Sequence, residues 1–431
     1  MTDILALDAT DLIAEVCAGR LSHRAVAEAY LERIATREPE VEAWAFHDPQ
    51  LVRDAADRRD AAGTAGPLAA LPVGVKDVID TCDMPTGYGS AAYAGFRPAW
   101  DAPCVVHAKA AGALILGKTV STEFAMASPG KTRNPWNPAH TPGGSSSGSC
   151  AAVAAGMALM GFGTQTAGSV IRPASYCGVV GYKPTIGLLE AAEIKVLAHT
   201  LDTLGLITRS VRDAALIASV LAGRPGLALR EVPQSAPRVG LFRTPPFDAA
   251  EPGTLAALEH ARARIEAAGG QVTEIAVPAD FAATHALHAA VMGWEVTRAL
   301  AHERGPLREA LTPVTRAFLT EKAQIDAPAY DAARAALPAQ RAALAAAIEG
   351  VDVLLAPAAP GPAPEGLAST GAPAFNTPWT LLQMPALSLP AIVSGGLPVG
   401  VQVIGRKDED ARTLAAAAWI EACLDAPKGA R

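Results

Sequence analysis

A chain of 431 residues, half of them hydrophobic and only 18% charged, carries enough apolar material for a substantial core, which excludes intrinsic disorder. The formal net charge is −7, and Lys and Arg are scattered without a basic run, so nucleic acid is not an expected partner. The start, MTDILALDATDLIAEV, places acidic residues ahead of any basic one, and the longest apolar stretch, 150–163, falls short of the roughly 20 residues a membrane span needs.

Taken in chain order, Thr10 can cap a helix over 11–18 and Ser22 one over 23–37, where Val26, Tyr30, Leu31 and Ile34 recur at helical spacing. A third helix fits 50–62. Residues 71–79 then read as a buried strand, and a helix over 102–111 with a strand over 113–117 makes one α/β step. Residues 127–148 form a long loop dense in Pro, Gly, Asn, Ser and Thr, the kind that carries function in a compact chain. It feeds a helix over about 148–160, so the apolar run 150–163 reads as buried helix. Strands follow over 204–207, 238–242, 271–276, 352–356, 386–393 and 398–404, and helices over 210–222, 253–268, 280–302, 328–348 and 408–424. This alternation predicts an α/β fold with a covered central sheet. Residues 224–237 are Pro-rich, but no linker divides the chain.

Six cysteines, at 17, 82, 104, 150, 177 and 423, lie far apart without a C-x-x-C pair, as expected of reduced thiols in a cytoplasmic protein. His285 and His288 sit three apart on a helical stretch, yet no neighbouring Cys or His completes a ligand set, so no metal is expected.

Four features bear on chemistry. Lys76 interrupts the apolar strand Pro72-Val-Gly-Val-Lys-Asp-Val. Burial lowers a lysine pKa toward that of a general base, whereas a lysine at a strand end can instead reach water. On a strand, Asp77 points to the opposite face and need not pin the ammonium. Thr141-Pro-Gly-Gly-Ser-Ser-Ser-Gly-Ser149 sets hydroxyls on a permissive backbone, or simply caps the following helix. Small residues ahead of Ser169, in Gly161-Phe-Gly-Thr-Gln-Thr-Ala-Gly-Ser169-Val-Ile-Arg-Pro173, let successive N–H groups turn toward one point, as an oxyanion hole requires; an ordinary Gly-rich connection would look the same. Arg172 could grip a substrate carboxylate or tie down carbonyls.

Together, Lys76, the serine-rich loop and a second Gly-Ser 24 positions after Ser145 resemble the amidase signature family. The resemblance continues in Cys177-Gly-Val-Val-Gly-Tyr-Lys-Pro-Thr185, Asp202-Thr-Leu-Gly-Leu-Ile-Thr-Arg-Ser-Val-Arg-Asp213 and Gly395-Gly-Leu-Pro-Val-Gly-Val-Gln-Val-Ile-Gly405, with 71–213 the most specific stretch. It implies one α/β/α domain over 1–431 around a mixed twisted sheet, with 224–370 supplying much of the substrate pocket. It also implies Ser169 as nucleophile, Ser145 as a bridging serine behind a cis Gly144–Ser145 peptide, and Lys76 as base. The backbone N–H groups of Thr166, Ala167, Gly168 and Ser169 would be the oxyanion donors. No cofactor is implied, and the resemblance suggests a homodimer.

The commonest family pattern has Asp where this chain has Gln165, Gly where it has Ala167, and an arginine two residues after the nucleophile rather than three. The run ending in Arg172, together with Lys76-Asp-Val-Ile-Asp-Thr81, Asp352-Val-Leu-Leu355 and Leu367-Ala-Ser-Thr-Gly371, is similar to bacterial malonamidases. That similarity implies substrate recognition by Arg172 and a small carboxylate-bearing amide substrate; a ureido or carboxybiuret-type acid would also suit an arginine there. Two rival expectations use the same residues. Gly144-Ser-Ser-Ser-Gly148 fits G-x-S-x-G with Ser146 as nucleophile, which requires a buried strand just before it. Alternatively the chain is the amidase component of a glutamyl-tRNA amidotransferase-like complex.

Overall fold

The computed structural model describes residues 3–63, 65–424, 426 and 429. Eleven strands form a single mixed sheet: β1 (Trp44–His47), β2 (Pro72–Lys76), β3 (Leu114–Thr119), β4 (Met160–Gln165), β5 (Val180–Lys183), β6 (Thr203–Thr208), β7 (Arg238–Leu241), β8 (Gln271–Glu274), β9 (Val353–Pro357), β10 (Ala386–Ser394) and β11 (Leu397–Ile404). Their spatial order is β1-β3-β2-β4-β6-β5-β10-β11-β9-β7-β8. Strands β2, β4, β5, β6, β9 and β11 are buried along their whole length, while edge strand β8 is mostly exposed. Strands covered on both faces explain why these segments read as continuous apolar runs rather than alternating ones.

Helices flank the sheet. Ser147–Ala154 packs on β2, β3 and β4 and against Ile171–Cys177, which in turn lies on β5, β10 and β11. Pro252–Ala267 and Asp410–Leu424 pack on each other and on β10 and β11. The expected α/β/α architecture is therefore the observed one. Among the described residues, no helix is long and apolar enough to cross a membrane.

Several expectations need correction. The first long helix is Ala9–Cys17, capped by Asp8 rather than Thr10. Thr10 instead donates through its backbone and hydroxyl to Asp213. The run 150–163 is not one helix: Ser147–Ala154 ends early, Gly156 turns the chain at φ +71°, and β4 begins at Met160. Ser22 does cap its helix, which extends to Val41.

Strands β2, β3 and β4 run parallel as neighbours, so Lys76, Thr119 and Gln165 finish at one edge of the sheet. Antiparallel β6 starts at that same edge, with Thr203 opposite Gln165. The carboxyl edge of parallel strands is where open α/β sheets gather their ligands.

The fit of Ser147–Ala154 against β3 depends on Gly148, whose N–H donates to Val120 O at 3.0 Å. A Cβ there would lie 2.3 Å from both Ala43 O and Val120 N. These are backbone atoms that cannot step aside. Gly148→Ala should therefore cost about 3 kcal/mol, the upper end of the usual range for overpacking. Urea unfolding checks this, and a midpoint equal to that of the parent chain would refute the contact.

Candidate active site

Lys76 ends β2 with none of its surface exposed. It does not reach water. Its Nζ lies 2.7 Å from both Ser145 Oγ and Thr164 Oγ1. Burial pulls its pKa down to about 7, against the opposing influence of Cys150 and Asp202. Asp77, as the strand geometry predicts, faces elsewhere. Its carboxylate lies 3.4 Å from Lys118 Nζ and accepts from the Gly87 N–H. Lys76 thus has hydroxyl partners and no ion pair, which suits an amine that must carry a lone pair at neutral pH.

The serine-rich loop separates its hydroxyls. Gly144–Ser145 is a cis peptide, and Ser145 is the serine of this loop that contacts Lys76. The Ser146 hydroxyl donates to Thr164 O and accepts from Thr164 N–H, each across at least 3.3 Å. Ser147 donates to Val120 O, and Ser149 to Phe162 O. No strand precedes Ser146, and its side chain is fully buried against β4, so the structure lacks the strand–turn–helix setting that an elbow nucleophile there requires.

Ser169 lies at the end of a turn that leaves β4, and its carbonyl accepts from Ser146 N–H at 3.3 Å, which stitches the two serine segments together. In that turn the carbonyls of Thr166, Ala167 and Gly168 are all engaged. They accept from His288 Nε2 at 2.8 Å, Thr380 Oγ1 at 2.8 Å and Arg172 N–H at 3.0 Å. The N–H groups of Ala167, Gly168 and Ser169 donate to no protein acceptor among the described residues. Thr166 also donates its hydroxyl to the half-buried Asp202 at 2.6 Å. Gln165 braces the base of the turn. Its Oε1 accepts from the N–H groups of Val170 and Ile171, and its Nε2 donates to Thr380 Oγ1. A carboxylate could not make that last bond. Ala167 does not adopt a positive φ, so a side chain is tolerated there. Gly168 has no such room, because a Cβ would meet Asn376 Oδ1 at 2.5 Å.

Arg172 is 5% exposed, and its Nη2 donates to Gly144 O at 2.7 Å and Thr370 Oγ1 at 3.2 Å. Its Nε is buried without a partner, and no carboxylate lies within ion-pair distance of it among the described residues. Desolvation draws its pKa down to about 10, which still leaves it charged at neutral pH.

A cavity of about 140 Å³ opens beside Thr164, Thr166 and Asp202, and its far wall comes from Ala191 to Leu197. Residues 224–370, expected to build the pocket, add His288 and Thr370 to the site but do not line this cavity. The His285 and His288 rings go separate ways: His285 contacts Pro245 O and Thr377 Oγ1. Thr164, Asp202, Thr370 and Thr380 escaped sequence reasoning as site residues. Thr164, Asp202 and Thr370 lie inside the recognisable motifs, whereas Thr380 carries no local signal.

Comparison with known proteins bears on the family of the whole chain. The Amidase family model matches residues 25–414. A glutamyl-tRNA(Gln) amidotransferase subunit from Salinispora arenicola is 32% identical over 98% of both chains. A crystal structure described as an amidase superposes with a TM-score of 0.88 at 31% identity, covering 97% of this chain and 100% of that one. The peptide amidase of Stenotrophomonas maltophilia superposes at 0.82 with 29% identity, covering 99% and 98%.

If Lys76 acts as a base, it works in the neutral form, which gains population as pH rises. The kcat/KM profile should therefore climb through about pH 7 and level off above it. In Asp202→Asn the limb should move to lower pH, because Asp202 supports the protonated amine. Lys76→Ala should lose about 10²-fold or more in kcat. A profile flat between pH 5.5 and 8.5, or near-normal turnover in Lys76→Ala, would exclude this role.

Proposed function

The chain belongs to the amidase family, and from that premise we propose that it is a free-standing hydrolase of small linear amides bearing a carboxylate, of the malonamate type. Hydrolysis of amide C–N bonds is the activity of the family. The substrate class rests on one observation, the buried and unpaired guanidinium of Arg172. Burying a cation without a counter-charge costs several kcal/mol, and a substrate carboxylate would supply that charge. Nη2 is spent on Gly144 and Thr370, while Nε has no protein acceptor.

In the proposed reaction, neutral Lys76 takes the Ser145 proton as Ser145 takes that of Ser169. The Ser169 oxygen bonds to the amide carbon, and the 166–169 amides hold the negative charge that moves onto the carbonyl oxygen. The C–N bond then breaks, and the relayed proton leaves with ammonia. Water cleaves the acyl ester by the same relay run again, releasing the acid and restoring Ser169. A second reading has specific support: relatives at 32–34% identity are amidotransferase subunits. In that reading the same apparatus releases ammonia to a partner protein.

Ammonia release from malonamate and from neutral amides of similar size, by the parent chain and by Arg172→Ala, tests the proposal. Losing a charge-assisted contact of about 1.5–3 kcal/mol should reduce the preference for malonamate by roughly 10- to 150-fold. Because Arg172 also holds Gly144 O, both rates should fall, and the ratio isolates recognition. A parent chain without preference for malonamate, or an unchanged ratio in the variant, removes the carboxylate assignment. A purified chain inactive on every small amide would favour the amidotransferase reading.

A further inference from the structure

His288 and Thr380 lie 122 and 213 positions from the carbonyls they hold, and neither belongs to a motif of the catalytic segments. The Thr166 carbonyl can only accept, so His288 Nε2 must carry the hydrogen it donates. Burial keeps that ring neutral by drawing its pKa down to about 4. The ring belongs to the Thr284–Ala299 helix, and Thr380 to the short Thr377–Leu381 helix that packs against it.

What these bonds do follows from the planarity of the peptide. In a trans peptide unit the C=O and the N–H point in opposite directions. Both described cis peptides lie elsewhere, at Gly144–Ser145 and Pro245–Pro246. Drawing the Thr166 carbonyl toward His288 therefore turns the Ala167 N–H the other way. Drawing the Ala167 carbonyl toward Thr380 does the same for the Gly168 N–H. The Ser169 N–H is set likewise by the Gly168 carbonyl, which Arg172 N–H holds. Each amide left without a protein acceptor sits in a peptide unit whose carbonyl is anchored from outside the turn.

We propose that His288 and Thr380 are positioning residues that pre-orient the Ala167 and Gly168 amides toward the oxyanion. The proposal rests on the reading of Ser169 as nucleophile. Preorganised donors contribute because they need not reorient as charge develops, so their loss falls on the transition state rather than on substrate binding. Asp202 complements this arrangement by accepting from the Thr166 hydroxyl.

The variants are His288→Leu and Thr380→Val, which remove the donors, and His288→Gln and Thr380→Ser, which can restore them. Thr380→Val preserves shape and serves if His288→Leu fails to fold. The measurements are kcat and KM, the affinity of a boronic acid that forms a tetrahedral adduct on a serine, and the affinity of the product acid. The expected result is a fall in kcat of about 10- to 100-fold with KM within about threefold. Boronate affinity should fall in parallel, product affinity should hold, and the Gln and Ser variants should recover most of the loss. A purely structural role would weaken boronate and product alike, or lower the unfolding temperature with kcat unchanged, and either outcome overturns the proposal. Ser169→Ala separates the two levels. If it retains turnover, the nucleophile assignment fails; if it is inactive while His288→Leu and Thr380→Val are normal, the positioning role alone fails.

Discussion

The structure turns on one costly placement: a lysine amine at the end of a fully buried strand with hydroxyls for partners. Removing an ammonium from water without a counter-ion costs several kcal/mol, and the protein avoids that cost by letting Lys76 give up its proton near neutral pH. The neighbouring strand shows the alternative. Lys118 is equally buried but has Asp77 at 3.4 Å, and its pKa falls only to about 8. Because the strand ends at Lys76 and the chain turns at Asp77, the carboxylate goes to Lys118 on the neighbouring strand and not to the Lys76 amine. One dipeptide thus supplies one partner of an ion pair and one amine without a carboxylate partner among the described residues.

A second constraint is that the 166–169 turn is held in place although it contains little but small residues. Gly, Ala, Thr and Ser bring no bulk with which to hold themselves in place, so rigidity comes from outside. Gln165 spans the turn from strand to helix, Asn376 and Pro373 press against Gly168, and hydrogen bonds hold successive carbonyls. An amide at position 165 both donates and accepts, whereas a carboxylate only accepts. Gln165 is therefore wired into Thr380 in a way the commoner Asp could not be. Two of the departures from the family pattern, Gln165 and Ala167, meet at Thr380, which accepts from the Gln165 amide and donates to the Ala167 carbonyl.

Much of this was legible in the sequence, and the parts that were not share a cause. Lys76, Ser145 and Ser169 stand in local motifs whose spacing can be read without coordinates. The choice of Ser145 over its neighbours, made on spacing, has a geometric counterpart: Ser145 bonds Lys76, whereas the hydroxyls of Ser146, Ser147 and Ser149 each donate to a backbone carbonyl. Strand β4 was hidden because a short apolar run has no period to separate strand from helix, and only the turn at Gly156 divides it. Asp8 displaced Thr10 as a cap because Thr10 is claimed by Asp213, more than two hundred residues away. The contacts of His288, Thr370 and Thr380 were invisible for the same reason. Their roles exist only once the sheet order has carried distant segments to one edge.

Arg172 shows how two duties can share one side chain. A guanidinium has five N–H donors in a rigid fork, and among the described residues only Nη2 is committed to protein oxygens. Tying down Gly144 fixes the arginine beside the serine loop, and that fixing makes the rest of the fork useful for recognition, because a preset donor loses little entropy on binding. In the proposed carboxylate reading, structural anchoring and substrate recognition would be successive uses of one geometry. The relatives, amidotransferase components and amidases alike, share the fold that holds this fork's neighbours.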